Sequence, residues 1–343
     1  MHRPLTIPYW IRALIPILLA LFFTGIILLC LGKDPFTFYW NIIDRSLVNS
    51  WGLQDSLNRM TPLLLIGSAL IVSFRAGMWN IGLDGQFVLS AVFTSAIAPL
   101  ALNVMPSPLA MFCLVSLGIL VALIWSIGPA LLKAYYQINE IITTLMMTFL
   151  GVLLSALLVK TVFNDPGNHV HQTIGFSTED RWPLLFGSSV HIGLIFAFIS
   201  IFAIHFIVSK TSVGNKLRVV GINPKAAAHA GLSVPKLTIA AFTISAALAG
   251  LAGTIEVAGR IGHVRAGWDP HYGLYMIPFV FLARFNGIAL IGFTAFFAAF
   301  SIGGEYAARK AGLPSVFVLI IIGLILVFLA ITEYLNQKFE NRP

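Results

Sequence analysis

Residues 74–90, FRAGMWNIGLDGQFVLS, set Arg75, Asn80, Asp84 and Gln86 among three glycines, with apolar runs on both sides. The 343-residue chain around them is 58% hydrophobic and 10% charged, with a mean hydropathy of +0.91. Soluble domains carry about 25% charged residues, so this chain is expected to fold in lipid. Uncharged stretches of roughly 19 residues match the ~30 Å hydrocarbon core. Eight fit: 13–31, 87–105, 109–132, 141–159, 190–208, 237–255, 286–304 and 313–332. Two apolar runs, 61–74 and 272–283, are too short to span alone. The reading is an all-α polytopic transmembrane bundle of about ten segments, one or two of them short or discontinuous, forming a single domain over 1–343.

Within that frame the opening stretch reads as a broken membrane helix. Irregular backbone at membrane depth is tolerated where it is buried in protein or lines a cavity, and transporters place such breaks near the substrate route. Asn80, Asp84 and Gln86 are therefore pathway candidates. An Asp near the bilayer centre costs ~2.5–3.5 kcal/mol, so Asp84 needs a partner, and Arg75 is the nearest candidate for a structural charge pair. Two structural alternatives stand beside this: an inner-face turn touching water, and Asn80 and Asp84 as helix caps. A second polar interruption, GRIGHVRAGWDPH at 259–271, precedes the other short run. Its RAGWD resembles the RAGMW of 75–79, so Trp79 and Trp268 are candidates to offer aromatic faces to a base or sugar.

Basic residues favour the cytoplasmic side of membrane proteins. Arg3 and Arg12 place the N-terminus inside, and the apolar run after them is longer than a signal-peptide core, so it reads as a retained span. The loop 209–236 holds Lys210, Lys216, Arg218, Lys225 and Lys236 with no acid, so it too is cytoplasmic, as is the C-terminus by alternation. Arg309 and Lys310 then fall outside, beside Glu305, against the rule. Inside the basic loop, Asn223-Pro224 starts a short helix, alanines continue it and Gly231 stops it. An ordered element in a loop of more than twenty residues suggests a docking surface for another protein.

Three segments carry a family resemblance. GINPKAAAHAGLSVPKLTIAAFTISAALAGLAG resembles the coupling loop and following helix of ABC importer permeases, in the family that includes the ribose, branched-chain amino acid and nucleoside permeases. FRAGMWNIGLDGQF resembles that family's NIG-acidic-GQ signature, with Asp84 where Glu is commoner. KAYYQINEIITTLMMTFL, 133–150, resembles its K-A…N-E-V-I-x-T-x-M segment. The matches keep the family's order and cover 74–253, with the nucleoside or simple-sugar branch most similar. The resemblance implies a permease subunit of the bacterial or archaeal inner (plasma) membrane that moves a small polar solute inward by alternating access. It would work with a separate ATP-binding subunit, a second permease subunit, an extracytoplasmic solute-binding protein and membrane lipid, without nucleic acid. Arg218, Gly221, Asn223, Lys225 and Gly231 would carry coupling to the ATPase. The chain has no GxxxxGK phosphate loop, so ATP would be used by the partner and no cofactor is expected here.

An ion-coupled secondary transporter would explain buried Asp84 equally well but leaves the basic loop without a role. A membrane enzyme lacks support, since neither HExxH nor GxSxG occurs. No metal site is expected from His169, His171 and His191, which lack a carboxylate partner. Cys30 and Cys113 read as buried core thiols. Glu140 reads as a first-turn acid, and Glu256 either faces the pathway or pairs with Arg260. Ala246, Gly250 and Gly253 give a small-residue face for helix packing, with the permease–permease interface as one possible place for it.

Overall fold

A computed structural model of the chain describes residues 9–340, so Arg3 lies outside the described residues. Among those residues there are thirteen α-helices, two π-helical turns and no strand. Seven helices are long and apolar enough to cross a membrane, and three shorter apolar helices bring the total to ten segments, as expected.

The central helix is α3, Ser50–Arg75, in which every residue from Met60 to Ser73 is buried. The sequence reading undercalled it as the short run 61–74. Its first turns carry Gln54, Asp55, Asn58 and Arg59, which lower its hydropathy and are used at one end of the bundle. Arg45 pairs with Asp55 at 3.1 Å, Arg59 with Glu305 at 3.4 Å, and Asn58 donates to the Ser189 carbonyl at 2.8 Å. Lys310 joins the same end by donating to Asn41 at 2.8 Å, which gives one of the two outlying cations a partner.

Against α3 pack α7 (Gly193–Lys210), α10 (Val234–Glu256) and α12 (Gly287–Lys310); α4 (Leu83–Val104) and α5 (Ser107–Tyr136) pack on the far side of α10, α6 (Glu140–Thr161) packs on α4 and α5, and α1 (Tyr9–Cys30) and α13 (Phe317–Glu340) pair at the side. The peripheral helices invert the soluble pattern. On α6 the buried stripe is Glu140, Thr144, Thr148, Gly151, Ser155 and Val159, mostly small or polar, while Phe149, Leu153 and Leu157 are exposed. In lipid, small residues let backbones approach closely and give dispersion contacts that lipid cannot match. A Cβ on Gly250 would lie 2.5 Å from the Gly118 carbonyl oxygen, and one on Gly253 would lie 2.3 Å from that of Phe87. The small-residue face of α10 is therefore spent inside the chain on α4 and α5, not at an interface between permeases. Cys30 is exposed and Cys113 partly so, contrary to the buried reading.

Two elements are not full spans. The helix α2, Pro35–Ile43, is capped by Asp34, which accepts from the Phe36 and Thr37 N–H groups, and continues through the π turn Asp44–Val48 to α3. The helix α11, Tyr272–Leu282, has 11 residues. At 1.5 Å per residue it is ~16 Å long, about half the hydrocarbon core. At the end away from the charged network, α8 (Ser212–Ile222) and α9 (Pro224–His229) carry the basic loop.

Candidate functional site

The residues 76–82 connect two full-length helices, so the opening stretch is a turn rather than a break within one helix. What makes it unusual is how it is held. The Ile81 N–H donates to Thr144 at 3.2 Å, and Thr148 donates to the Ile81 carbonyl at 2.8 Å. Asn80 accepts from the Gly82 N–H at 3.1 Å and donates to Ser245 at 3.1 Å. Thr144 and Thr148 come from the KAYY…TFL segment and Ser245 from the helix after the basic loop. The three segments that carry the family resemblance thus meet around one turn.

Gly77 extends the hub to the surface. It sits at φ +70°, a region that suits glycine. A Cβ there would lie 2.7 Å from the Gly221 Cα, and one on Gly221 would lie 2.6 Å from the Arg75 carbonyl. The end of α8 therefore rests backbone to backbone on the turn. Beyond it, Asn223 caps α9 by accepting from the Ala226 N–H at 3.0 Å, Pro224 is its first residue, and Gly231 follows at φ +79°. The helix forms where the sequence placed it. Arg218 and Ile222 on α8, and Asn223, Lys225 and Gly231 on and beside α9, are exposed.

Asp84 does not pair with Arg75. Its carboxylate crosses to α11 and accepts from the Gly273 N–H at 2.6 Å and the Leu274 N–H at 3.3 Å. The first N–H groups of a helix have no partner within it, and His271, the N-cap of α11, supplies no side-chain cap. Asp84 is thus a cap supplied from another helix, 189 residues away in sequence. Arg75 lies at the other end of the turn, with its Nε unpartnered. Gln86 is buried with its Oε1 unpartnered. The two tryptophans sit in separate aromatic clusters: Trp79 against Phe74 and Phe281, Trp268 against Phe87 at 5.6 Å. Gly77 and Gly267 share a positive φ, but one follows a helix and the other an isolated bridge at Arg265.

A cavity of about 370 Å³ opens between α3, α11, α12 and α13. Its lining includes Arg59, Asp269, Tyr272, Tyr275, Phe297 and Glu305. The sequence reading missed this site. The available signal was Arg59 and Glu305, opposite charges that each border an apolar run. His271 at the rim lies 3.0 Å from Asp269, and that hydrogen bond raises its pKa against the opposing effect of burial. Behind the cavity Glu256 pairs with Arg260 and accepts from the Tyr272 hydroxyl at 3.3 Å. His191 is fully buried with both ring nitrogens unpartnered, and burial pushes its pKa down to about 4. Among the described residues no group of three or more His, Cys, Asp or Glu is placed to hold a metal ion.

The family described as the branched-chain amino acid transport system permease component matches residues 52–330, which takes in the hub, the basic loop and the cavity. The chain belongs to this permease family. A glucose ABC transporter permease protein of Haloferax volcanii, TsgB13, is 31% identical over 97% of this chain and 90% of its own length. A guanosine ABC transporter permease protein of Bacillus subtilis, NupP, is 28% identical over 92% of each. A nucleoside ABC transporter permease protein of Lactococcus lactis, NupB, is 25% identical over 93% of this chain and 91% of its own length. No solved structure matches. The permease is a multi-pass membrane protein and a transport component of an ABC transporter.

Proposed function

We propose that this permease imports a small, neutral, polar solute, a nucleoside before a simple sugar, through the plasma membrane, with both termini and the α8–α9 loop in the cytoplasm. Relatives named for guanosine, nucleosides and glucose support the substrate class. The basic, acid-free loop supports the sidedness. A separate ATP-binding subunit docks on α9, using Arg218, Asn223, Lys225 and Gly231. A second permease subunit completes the translocation unit, and an extracytoplasmic solute-binding protein delivers the solute. ATP is consumed by the partner.

The observation that carries the mechanism is the backbone contact of Gly221 with Gly77. Packed elements are bistable rather than continuously deformable. When ATP closure pushes α9, α8 moves with it, and the turn 76–82 transmits that push to α4, α6 and α10, to which it is hydrogen-bonded. Asp84 carries it on to α11. Asn80, Asp84, Gln86, Trp79 and Trp268 then act by moving the helices around the pathway, and Trp268 flanks the segment that enters the cavity. Lys225→Glu with Gly231→Pro tests the docking role. Proline fixes φ near −65° and cannot take the +79° of Gly231, so α9 loses its stop as well as its charge. The expected outcome is loss of uptake with the chain still inserted in the membrane. Full uptake would remove α9 from the coupling path.

A further inference from the structure

We infer that the cavity between α3, α11, α12 and α13 is a ligand site for a flat, uncharged, hydroxylated solute, and that Glu305 on Arg59 makes it reject phosphorylated forms of that solute. This rests on the substrate reading above and assigns it to residues. The cavity volume of about 370 Å³ falls within the ~300–1,000 Å³ of small-molecule sites. One wall is aromatic: Tyr275 and Phe297 have centroids 6.1 Å apart at 61°, and Tyr272 lies beneath the Arg59 guanidinium at 5.9 Å. Rings gain by stacking against a flat face, which a nucleobase offers on both sides.

The charged groups of the lining are each paired. Glu305 neutralises Arg59 at 3.4 Å, and Asp269 faces His271 at 3.0 Å. The lining Ser301 hydroxyl is held only loosely, accepting from Arg59 at 3.5 Å. A sugar hydroxyl or base carbonyl can use it without bringing charge. A phosphate would meet the carboxylates of Glu305 and Asp269, and like charges discriminate by repulsion.

The test is cysteine protection in membrane vesicles holding the assembled transporter. Cys30 and Cys113 are replaced by Ala, and Ser301→Cys or Leu319→Cys, each lining the cavity, is labelled with a water-soluble thiol reagent. Guanosine is expected to slow labelling about tenfold or more, while guanosine 5′-monophosphate at equal concentration has no effect. Glu305→Gln in the same background is expected to let the monophosphate protect as well, because Arg59 is then uncompensated. No labelling at either position, no protection by guanosine, protection by glucose alone, or equal protection by the monophosphate in the unmodified lining would overturn the site. An unchanged monophosphate response in Glu305→Gln would overturn the role of the pair. Guanosine uptake by the same vesicles separates the two levels: uptake without protection faults the cavity, whereas absent uptake faults the substrate reading itself.

Discussion

Replacing Asp84 by Ala strands the N–H groups of Gly273 and Leu274 at the buried start of α11. An unsatisfied buried donor costs ~1–3 kcal/mol, so Asp84→Ala is expected to destabilise the permease by about 2–4 kcal/mol, read as earlier thermal unfolding in detergent. Asp84→Asn keeps one acceptor and should lose about half as much. Unchanged stability in both variants would remove the capping role. His191 gives a different signature. Its pKa falls from 6.5 to about 4 on burial, so below pH 6.5 the unfolded chain gains a proton that the folded chain refuses. Folded stability is thus complete above pH 6.5 and declines toward pH 4. At 1.36 kcal/mol per unit the difference reaches ~3 kcal/mol. Stability of wild type relative to His191→Gln should fall by that amount over this window, and a constant difference would show that His191 is not held neutral. Capping stood among the readings of Asp84, but the helix it caps was not legible locally, nor was the burial of His191. Arg75 is the nearest opposite charge to Asp84 in sequence, but its actual partners are backbone groups far along the chain, and backbone donors leave no mark in a sequence.

Among the elements, α9 and the peripheral spans were readable because their signals are local: Asn-Pro and glycine punctuation for α9, and long apolar runs for α4, α5, α6 and α7. The helix α3 was not, because Asp55, Asn58 and Arg59 serve the charged network at one end of the bundle and break the apolar run that marks a span. The short α11 was suspected from its length. Its role emerged only once Asp84 was seen at its N-terminus. Contact between α8 and the turn 76–82 gives an element-scale prediction. Gly221→Val drives side-chain atoms into the Arg75 and Gly77 backbone, where even a Cβ lies 2.6–2.7 Å from the nearest atoms. The permease should remain inserted and still bind its ATPase, since α9 is intact, yet uptake should drop at least about tenfold, equivalent to ~1.4 kcal/mol. Normal uptake would show that force reaches the helices by another route.

At the scale of the whole molecule, three sequence segments that resemble a permease family separately pack together around one turn. This packing links an exposed basic helix to the turn that holds α4, α6 and α10, and through Asp84 to the half-helix beside the cavity. The family assignment and the geometry therefore describe the same object from two directions. The cavity lay beyond sequence reading because its walls come from four helices spread over more than 250 residues. The decisive measurement is ATP hydrolysis by the ATP-binding subunit reconstituted in lipid with this permease and the solute-binding protein, with and without nucleoside. The account predicts hydrolysis that rises several-fold when nucleoside-loaded binding protein is added and that stays low with Lys225→Glu and Gly231→Pro. Hydrolysis indifferent to solute, or transport sustained by an ion gradient without ATP, would contradict it.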